Sequence, residues 1–172
     1  ISSAIGACEW AKKKVTIIDT PGDSNFFTDT RNCMTVVDAA VIVVSAVDGV
    51  QVQTDRAFSL AGELFLPRAI FIYKLDRERA EFDSTLADVK KSLSDKVVAA
   101  QLPIGKEDKF TGVVDLVAMK ACRYKTDGSG DFAIEPIPAD LVEAANKAHE
   151  TLVDAVAASD DLEIGSGFTL DD

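Results

Sequence analysis

The spacing of apolar positions divides the chain near residue 96. Before that point, short apolar runs alternate with stretches of helical spacing. Residues 3–10 and 14–18 read as two strands joined by the basic turn Lys12-Lys13-Lys14, and Val15-Thr16-Ile17-Ile18 has the look of a short buried run. Phe27, Thr30, Met34 and Val37 then recur at helical spacing, with Asp23, Ser24 or Asn25 available as the cap. Residues 39–46 form a continuous apolar run, the pattern of a strand covered on both faces. A helix from about Thr54 would bury Ala57, Ala61, Leu64 and Phe65 and stop near Leu66, because Pro67 disfavours helical geometry before it. Residues 68–73 read as a fourth strand. A further helix follows, with Phe82, Leu86, Val89 and Leu93 on one stripe and Asp83 as its cap.

This alternation predicts an α/β fold, a three-layer sandwich with a mostly parallel sheet. Right-handed crossovers would gather the loops after its strands at one edge, where ligands bind in such folds. After residue 96 the pattern changes. Residues 97–102, 112–117 and 121–124 are short strand candidates, separated by turn-rich spacers such as Asp127-Gly128-Ser129-Gly130. A long helix is expected from about Asp140 to Ala158, with Leu141, Ala145, Ala148, Leu152 and Val156 on its apolar stripe and a capping box formed by Asp140 and Glu143. The expected organisation is therefore 1–96 as one part and 97–172 as a small α+β unit. Its acidic, glycine-containing tail from Asp160 is expected to be mobile or cut within an element.

Composition changes this picture little. The chain has 172 residues, 47% of them hydrophobic and 27% charged, which suits one globular domain or one and a part. The net charge of −11 disfavours non-specific contact with nucleic acid or anionic membrane, and no direct DNA binding is expected. Apolar runs such as 39–47 fall well short of the roughly 20 residues that span a bilayer, so no membrane association is expected. Residues 1–4 lack the basic start and apolar stretch of a signal peptide, and the absence of Met at position 1 suggests a fragment. Cys8, Cys33 and Cys122 have no metal-ligand spacing and read as buried or half-buried free thiols of a reducing compartment. His149, the only histidine, reads as a solvated helix residue.

Two segments have the layout that nucleotide chemistry needs. Asp19-Thr20-Pro21-Gly22 stands between a strand and a helix. A carboxylate there can reach Mg²⁺ through water, a glycine amide just beyond can donate to a terminal phosphate, and the helix can move when that phosphate leaves. The same residue types also make an ordinary turn with a helix cap. Tyr73-Lys74-Leu75-Asp76 follows the fourth strand. A carboxylate at that edge can accept from both N1–H and the N2 amino group of guanine, which adenine lacks, while a lysine stem has the length to lie along the base. Taken alone, this segment reads more readily as an ordinary exposed Lys-x-Asp-Arg loop. Both segments at strand ends, with one strand–helix unit between them, form a far more specific signal than either.

With both in place, the chain resembles the P-loop GTPases. Asp19-Thr20-Pro21-Gly22 is similar to their Asp-x-x-Gly switch motif, and Tyr73-Lys74-Leu75-Asp76 to their Asn-Lys-x-Asp guanine motif. Cys8-Glu9-Trp10, residues 46–51, Gln101-Leu102-Pro103-Ile104-Gly105, residues 112–117 and Ile137-Pro138-Ala139-Asp140-Leu141 resemble the translational GTPases of the elongation factor G type. The likeness runs from Ile1 to about Asp161 and includes that family's inserted subdomain.

The resemblance implies a cytoplasmic protein that binds GTP or GDP with Mg²⁺ and, at full length, hydrolyses GTP to drive translocation on the ribosome. By position, Asp19 would organise Mg²⁺ through water, with Thr20 and Pro21 beside it. Gly22 would sense the γ-phosphate, Lys74 would flank the guanine and Asp76 would read it. Residues 23–37 would form the switch helix.

Three departures qualify those expectations. No Gly-x-x-x-x-Gly-Lys-Ser/Thr loop occurs in the chain; in the family it would precede Ile1, so the isolated chain is expected to be inactive and to bind GTP weakly or not at all. Asp23 stands at the family's catalytic histidine position, where it reads either as a water-orienting group or as a helix cap. A carboxylate there adds negative charge beside the γ-phosphate. Tyr73 replaces the motif's asparagine and reads either as a guanine-site residue or as a packed strand-end aromatic. The alternative reading is a catalytically weakened GTPase-like paralogue acting as a binding or regulatory module. A ribosome-protection-type GTPase and a metabolic α/β enzyme are further alternatives.

Overall fold

The structure, a computed structural model, describes residues 2–125 and 127–159. The acidic tail lies outside the described residues. The chain separates into two compact units: residues 1–74 with 83–93, and residues 75–82 with 94–172.

The first unit opens with an antiparallel hairpin, β1 (Ala4–Trp10) and β2 (Lys13–Asp19). Trp10 pairs with Lys13, so the turn is Ala11-Lys12, one residue earlier than the basic run suggests. Both turn residues have positive φ, as a two-residue turn matching strand twist requires. The run Val15–Ile18 is not buried: Val15 and Ile17 are exposed, because β2 pairs only with β1 among the described residues. Cys8 is likewise exposed, while Cys33 and Cys122 are half-buried.

After a 3₁₀ turn (Ser24–Phe26) come α1 (Phe27–Met34), β3 (Ala40–Ser45), α2 (Val52–Glu63) and β4 (Arg68–Tyr73). β3 and β4 pair in parallel, with Ala40 opposite Arg68 and Ser45 opposite Tyr73. Ala40, Ile42 and Val44 turn their side chains to a core shared with Phe58, Leu60 and Ala61 of α2. The expectation that this sheet is covered on both faces is not met. Val41 is 63% and Phe71 58% exposed, with Val43 beside them, so neither α2 nor the next helix, α3 (Phe82–Ser92), lies on that face. Within α3, Thr85 and Val89 are buried, and Asp83 lies inside the first turn rather than at the cap.

The end of α2 corrects a second expectation. Phe65, placed on the buried stripe by its spacing, is 93% exposed and has φ 54°. The Leu66 amide donates to the Ala61 carbonyl and the Phe65 amide to that of Gly62, the paired bonds of a Schellman cap, which puts Phe65 at the left-handed position that favours glycine. Replacing Phe65 by glycine should therefore stabilise the first unit by about 1 kcal/mol, since little burial is lost and the left-handed cost disappears. Urea unfolding of the two proteins measures this.

The second unit is a four-stranded antiparallel sheet in the order β5 (Gln101–Ile104), β6 (Gly112–Asp115), β7 (Lys120–Tyr124), β8 (Phe132–Glu135), with helix α4 (Val142–Ser159). The strand expected over 97–102 lies instead at 101–104, and β8 is additional. Pro103 is tolerated because β5 is an edge strand. Ile104, Val114, Leu116, Ala121 and Ala145 form the buried core, with Leu141, Ala148 and Leu152 packed against it. Val156 is exposed, one turn beyond that contact.

Helix α4 begins at Val142, and Leu141 accepts from the Ala145 amide, so Asp140 stands outside the position a capping box with Glu143 requires. His149 is half-buried, not solvated: its Nδ1 lies 2.7 Å from the Leu116 carbonyl oxygen. That contact holds the proton on Nδ1 and ties α4 to the sheet.

In the loop between β7 and β8, the Ser129 hydroxyl and amide both donate to Asp127 Oδ1, at 2.6 and 2.9 Å. These bonds favour the charged form and hold the Asp127 carboxyl below its ordinary value. The loop's stabilisation should be complete above roughly pH 4 and be lost as pH falls through the depressed value. In an NMR titration, Ser129→Ala should move the Asp127 midpoint upward.

Candidate functional site

The two motif segments leave strands in separate sheets. Asp19 ends β2 and is exposed, with Thr20, Pro21 and Gly22 in the loop that follows. The Thr30 hydroxyl of α1 donates to the Pro21 carbonyl at 3.2 Å, so this loop is fastened to the helix after it. A Cβ built on Gly22 would meet nothing within 4 Å. The space beside that residue is open, and glycine is not required there by local packing.

Asp23 precedes the 3₁₀ turn with φ −80° and ψ 139°, a cap conformation. Its Oδ1 accepts from the Asn25 amide at 2.8 Å and from Asn25 Nδ2 at 2.9 Å. The cap role is thus visible in the geometry, and one carboxylate oxygen is already engaged.

At the C-terminal ends of the parallel strands a short polar chain assembles. The Ser45 hydroxyl donates to Asp48 Oδ2 at 2.7 Å and accepts from the Val47 and Asp48 amides. Asp48 Oδ2 lies 3.7 Å from Lys74 Nζ, which stands 5.0 Å from the centre of the Tyr73 ring. Asp88 of α3 accepts from the Val50 amide at 2.8 Å, bracing the same loop. Tyr73 is therefore a half-exposed strand-end aromatic that carries a cation above it, rather than a packed one. Lys74 has φ 60°, an unusual conformation for a long side chain and one that concentrates at binding sites. Ser45 and Asp48 were not among the residues singled out from sequence; the Ser-x-x-Asp spacing after an apolar strand was the available signal.

Asp76 belongs to the second unit. Its Oδ2 lies 3.7 Å from Arg77 Nε, and both side chains are mostly exposed. That carboxylate is free to exchange a weak solvent-screened pair for a better partner. The loop carrying it is held from residues well ahead in sequence. The Glu107 amide donates to the Leu75 carbonyl at 3.1 Å, and Glu107 Oε1 accepts from the Arg79 amide at 2.7 Å. Among the described residues, no hydrogen bond or ion pair joins residues 19–22 to Tyr73 or Lys74.

The donor set suits a hard cation that brings its own ligands. Among the described residues, no group of three or more His, Cys, Asp or Glu is placed to hold a metal. Mg²⁺ commonly takes one or two carboxylates and completes its shell with water and phosphate oxygens, a role an exposed strand-end Asp19 fits. Among the described residues no helix is long and apolar enough to cross a membrane.

An α/β unit with loops of this kind at its strand ends defines a nucleotide-binding class, and comparison with known proteins makes the class specific. The chain belongs to the elongation factor Tu GTP binding domain family, whose profile matches residues 1–159. It is 41% identical over 169 residues to elongation factor G of Granulibacter bethesdensis and, to the same extent, to that of Gluconobacter oxydans. Each match covers 98% of this chain and 24% of the relative, so the chain spans about a quarter of the length of these curated relatives. A crystal structure of a Thermus thermophilus protein matches with a TM-score of 0.84 and 28% identity, covering 93% of this chain and 24% of that one.

Proposed function

We propose that this chain is the phosphate-sensing and guanine-reading portion of a cytoplasmic, elongation-factor-G-type GTPase that couples GTP hydrolysis to ribosomal translocation. In this reading residues 1–96 are the central part of the GTPase domain and residues 97–172 its inserted subdomain. The observation that carries the reading is Lys74, left-handed at a parallel-strand end with its ammonium beside Asp48 and the Tyr73 ring, two residues ahead of an exposed Asp76.

The roles follow from chemistry. Asp76 accepts from the two guanine donors. The Lys74 stem lies along the base, with its ammonium drawn aside by Asp48 and the Tyr73 ring. Asp19, with Thr20 and Pro21 shaping its loop, holds water on Mg²⁺. The Gly22 amide donates to the terminal phosphate, and the Pro21–Thr30 bond transmits its presence to α1. When bound, Mg²⁺ supplies charge neutralisation on the phosphate oxygens. Ribosome-stimulated GTP hydrolysis by the full-length protein tests the reading; a rate no higher with ribosomes than without overturns it.

Asp23 favours the second reading, a catalytically weakened paralogue. Its carboxylate serves Asn25 and puts negative charge near the position where a γ-phosphate would sit. Asp23→His in the full-length protein should then raise the hydrolysis rate, and no gain would argue that another group orients the water.

The phosphate-cradling loop supplies much of the binding energy for nucleoside triphosphates. The 172-residue chain alone should show no micromolar affinity for GTP with Mg²⁺ in calorimetric titration.

A further inference from the structure

We infer that Glu107, on the turn after β5, is a positioning residue for base recognition: it fixes the loop that carries Asp76. The inference rests on the reading of Asp76 as the guanine acceptor and adds a residue of the antiparallel unit to that site.

The geometry is a two-point clasp. The Glu107 amide donates to the Leu75 carbonyl at 3.1 Å, on one side of Asp76. Glu107 Oε1 accepts from the Arg79 amide at 2.7 Å, on the other side. One residue thus holds backbone on both flanks of the reading carboxylate, and the short second bond is charge-assisted. A third fastening lies further along, where Lys106 Nζ pairs with Glu81 Oε2 at 2.8 Å.

Both ends of the clasp are conformationally specified. Glu107 has φ 51° and Arg79 φ 66°, left-handed values that a long side chain keeps only where the surroundings impose them. Gly105 imposes them on one side. Its φ is +85°, and a Cβ there would run into the Lys109 carbonyl oxygen, so only glycine closes the 3₁₀ turn Glu107–Lys109 in this form. An ordinary surface glutamate does not come with a neighbouring glycine that fits its turn alone and with both its amide and its carboxylate engaged on one loop.

A loop that must present two acceptor atoms to two base donors loses affinity when its backbone wanders by a fraction of an ångström. Glu107 supplies that order before the base arrives. The phosphates contact other residues, so the effect should be confined to base recognition.

The test compares wild type, Glu107→Ala and Glu107→Gln in the full-length protein. Dissociation constants are measured for GTP, for ATP and for inorganic tripolyphosphate, which has no base. Glu107→Ala should weaken GTP by about 5- to 20-fold and leave tripolyphosphate unchanged. Glu107→Gln keeps an oxygen acceptor and should recover most of the loss. In the 172-residue chain, Glu107→Ala should speed hydrogen exchange of the Arg79 amide by at least about tenfold. Equal weakening of GTP and tripolyphosphate, or no change in either, overturns the inference. An unchanged Arg79 exchange rate overturns the clasp itself. A wild type that does not prefer GTP to ATP overturns the reading of Asp76 instead, a failure distinct from the others.

Discussion

Asp76→Ala in the full-length protein should weaken GTP binding by at least about 100-fold while leaving ATP binding within about twofold. Two hydrogen bonds to a charged acceptor are lost at once, each worth about 1.5–3 kcal/mol, and every 1.4 kcal/mol is tenfold. Arg77 cannot compensate, because it competes for the same carboxylate and offers no acceptor. Adenine presents neither donor, so its affinity is insensitive to the change. Competition binding with both nucleotides reads the selectivity directly. Equal losses for GTP and ATP would mean that Asp76 supports the fold of its loop and does not read the base.

Gly105→Ala should cost the second unit more than about 3 kcal/mol. Left-handed backbone at a residue with a Cβ costs roughly 1–2 kcal/mol. Here the added carbon also meets backbone on its other side, the Lys109 carbonyl group and the Phe110 nitrogen, which no rotamer change can relieve. The turn must open, and its opening breaks the Thr111–Ile104 bond that starts the β5–β6 pairing. Denaturant unfolding of the two proteins gives the difference. Gly22→Ala is the internal contrast: nothing lies within 4 Å of its would-be Cβ, and its stability should change by less than about 0.5 kcal/mol.

Much of the fold was legible because continuous apolar runs leave few options. The strands at 40–45 and 68–73 and the long helix from 142 follow directly from their patterns. β8 was missed because Phe132-Ala133-Ile134-Glu135 is short, exposed throughout and found only by its pairing with β7. Phe65 was misplaced because helical spacing says nothing about where the helix stops, and here a Schellman cap intervenes two residues early. The exposure of Val15, Ile17 and Val41 was unreadable for a different reason. An apolar pattern records what a strand is built to contact, not whether the contact is present.

The site divides the same way. Asp19, Gly22, Lys74 and Asp76 were singled out because their residue types at strand ends suit nucleotide chemistry, and the structure places Asp19 at the end of β2 and Lys74 directly after β4. Glu107 reaches Arg79, 28 positions earlier, through its carboxylate and Leu75, further back still, through its amide, and no local spacing encodes that. Asp23 was ambiguous from sequence, and its bonds to Asn25 make the cap visible.

The bare face of β3 and β4 gives the first unit a stability that depends on its company. Each large apolar side chain moved from water into contact contributes roughly 1.5–3 kcal/mol, and Val41, Val43 and Phe71 present three such side chains side by side. Whatever packs there behaves thermodynamically as a ligand of the folded state and raises its melting temperature by mass action. The second unit, closed around Leu116 and Val114, likewise leaves apolar side chains in water, Phe132 and Ile134 on β8 and Val117 after β6. Each unit thus carries apolar surface whose covering would shift its folding equilibrium by occupancy.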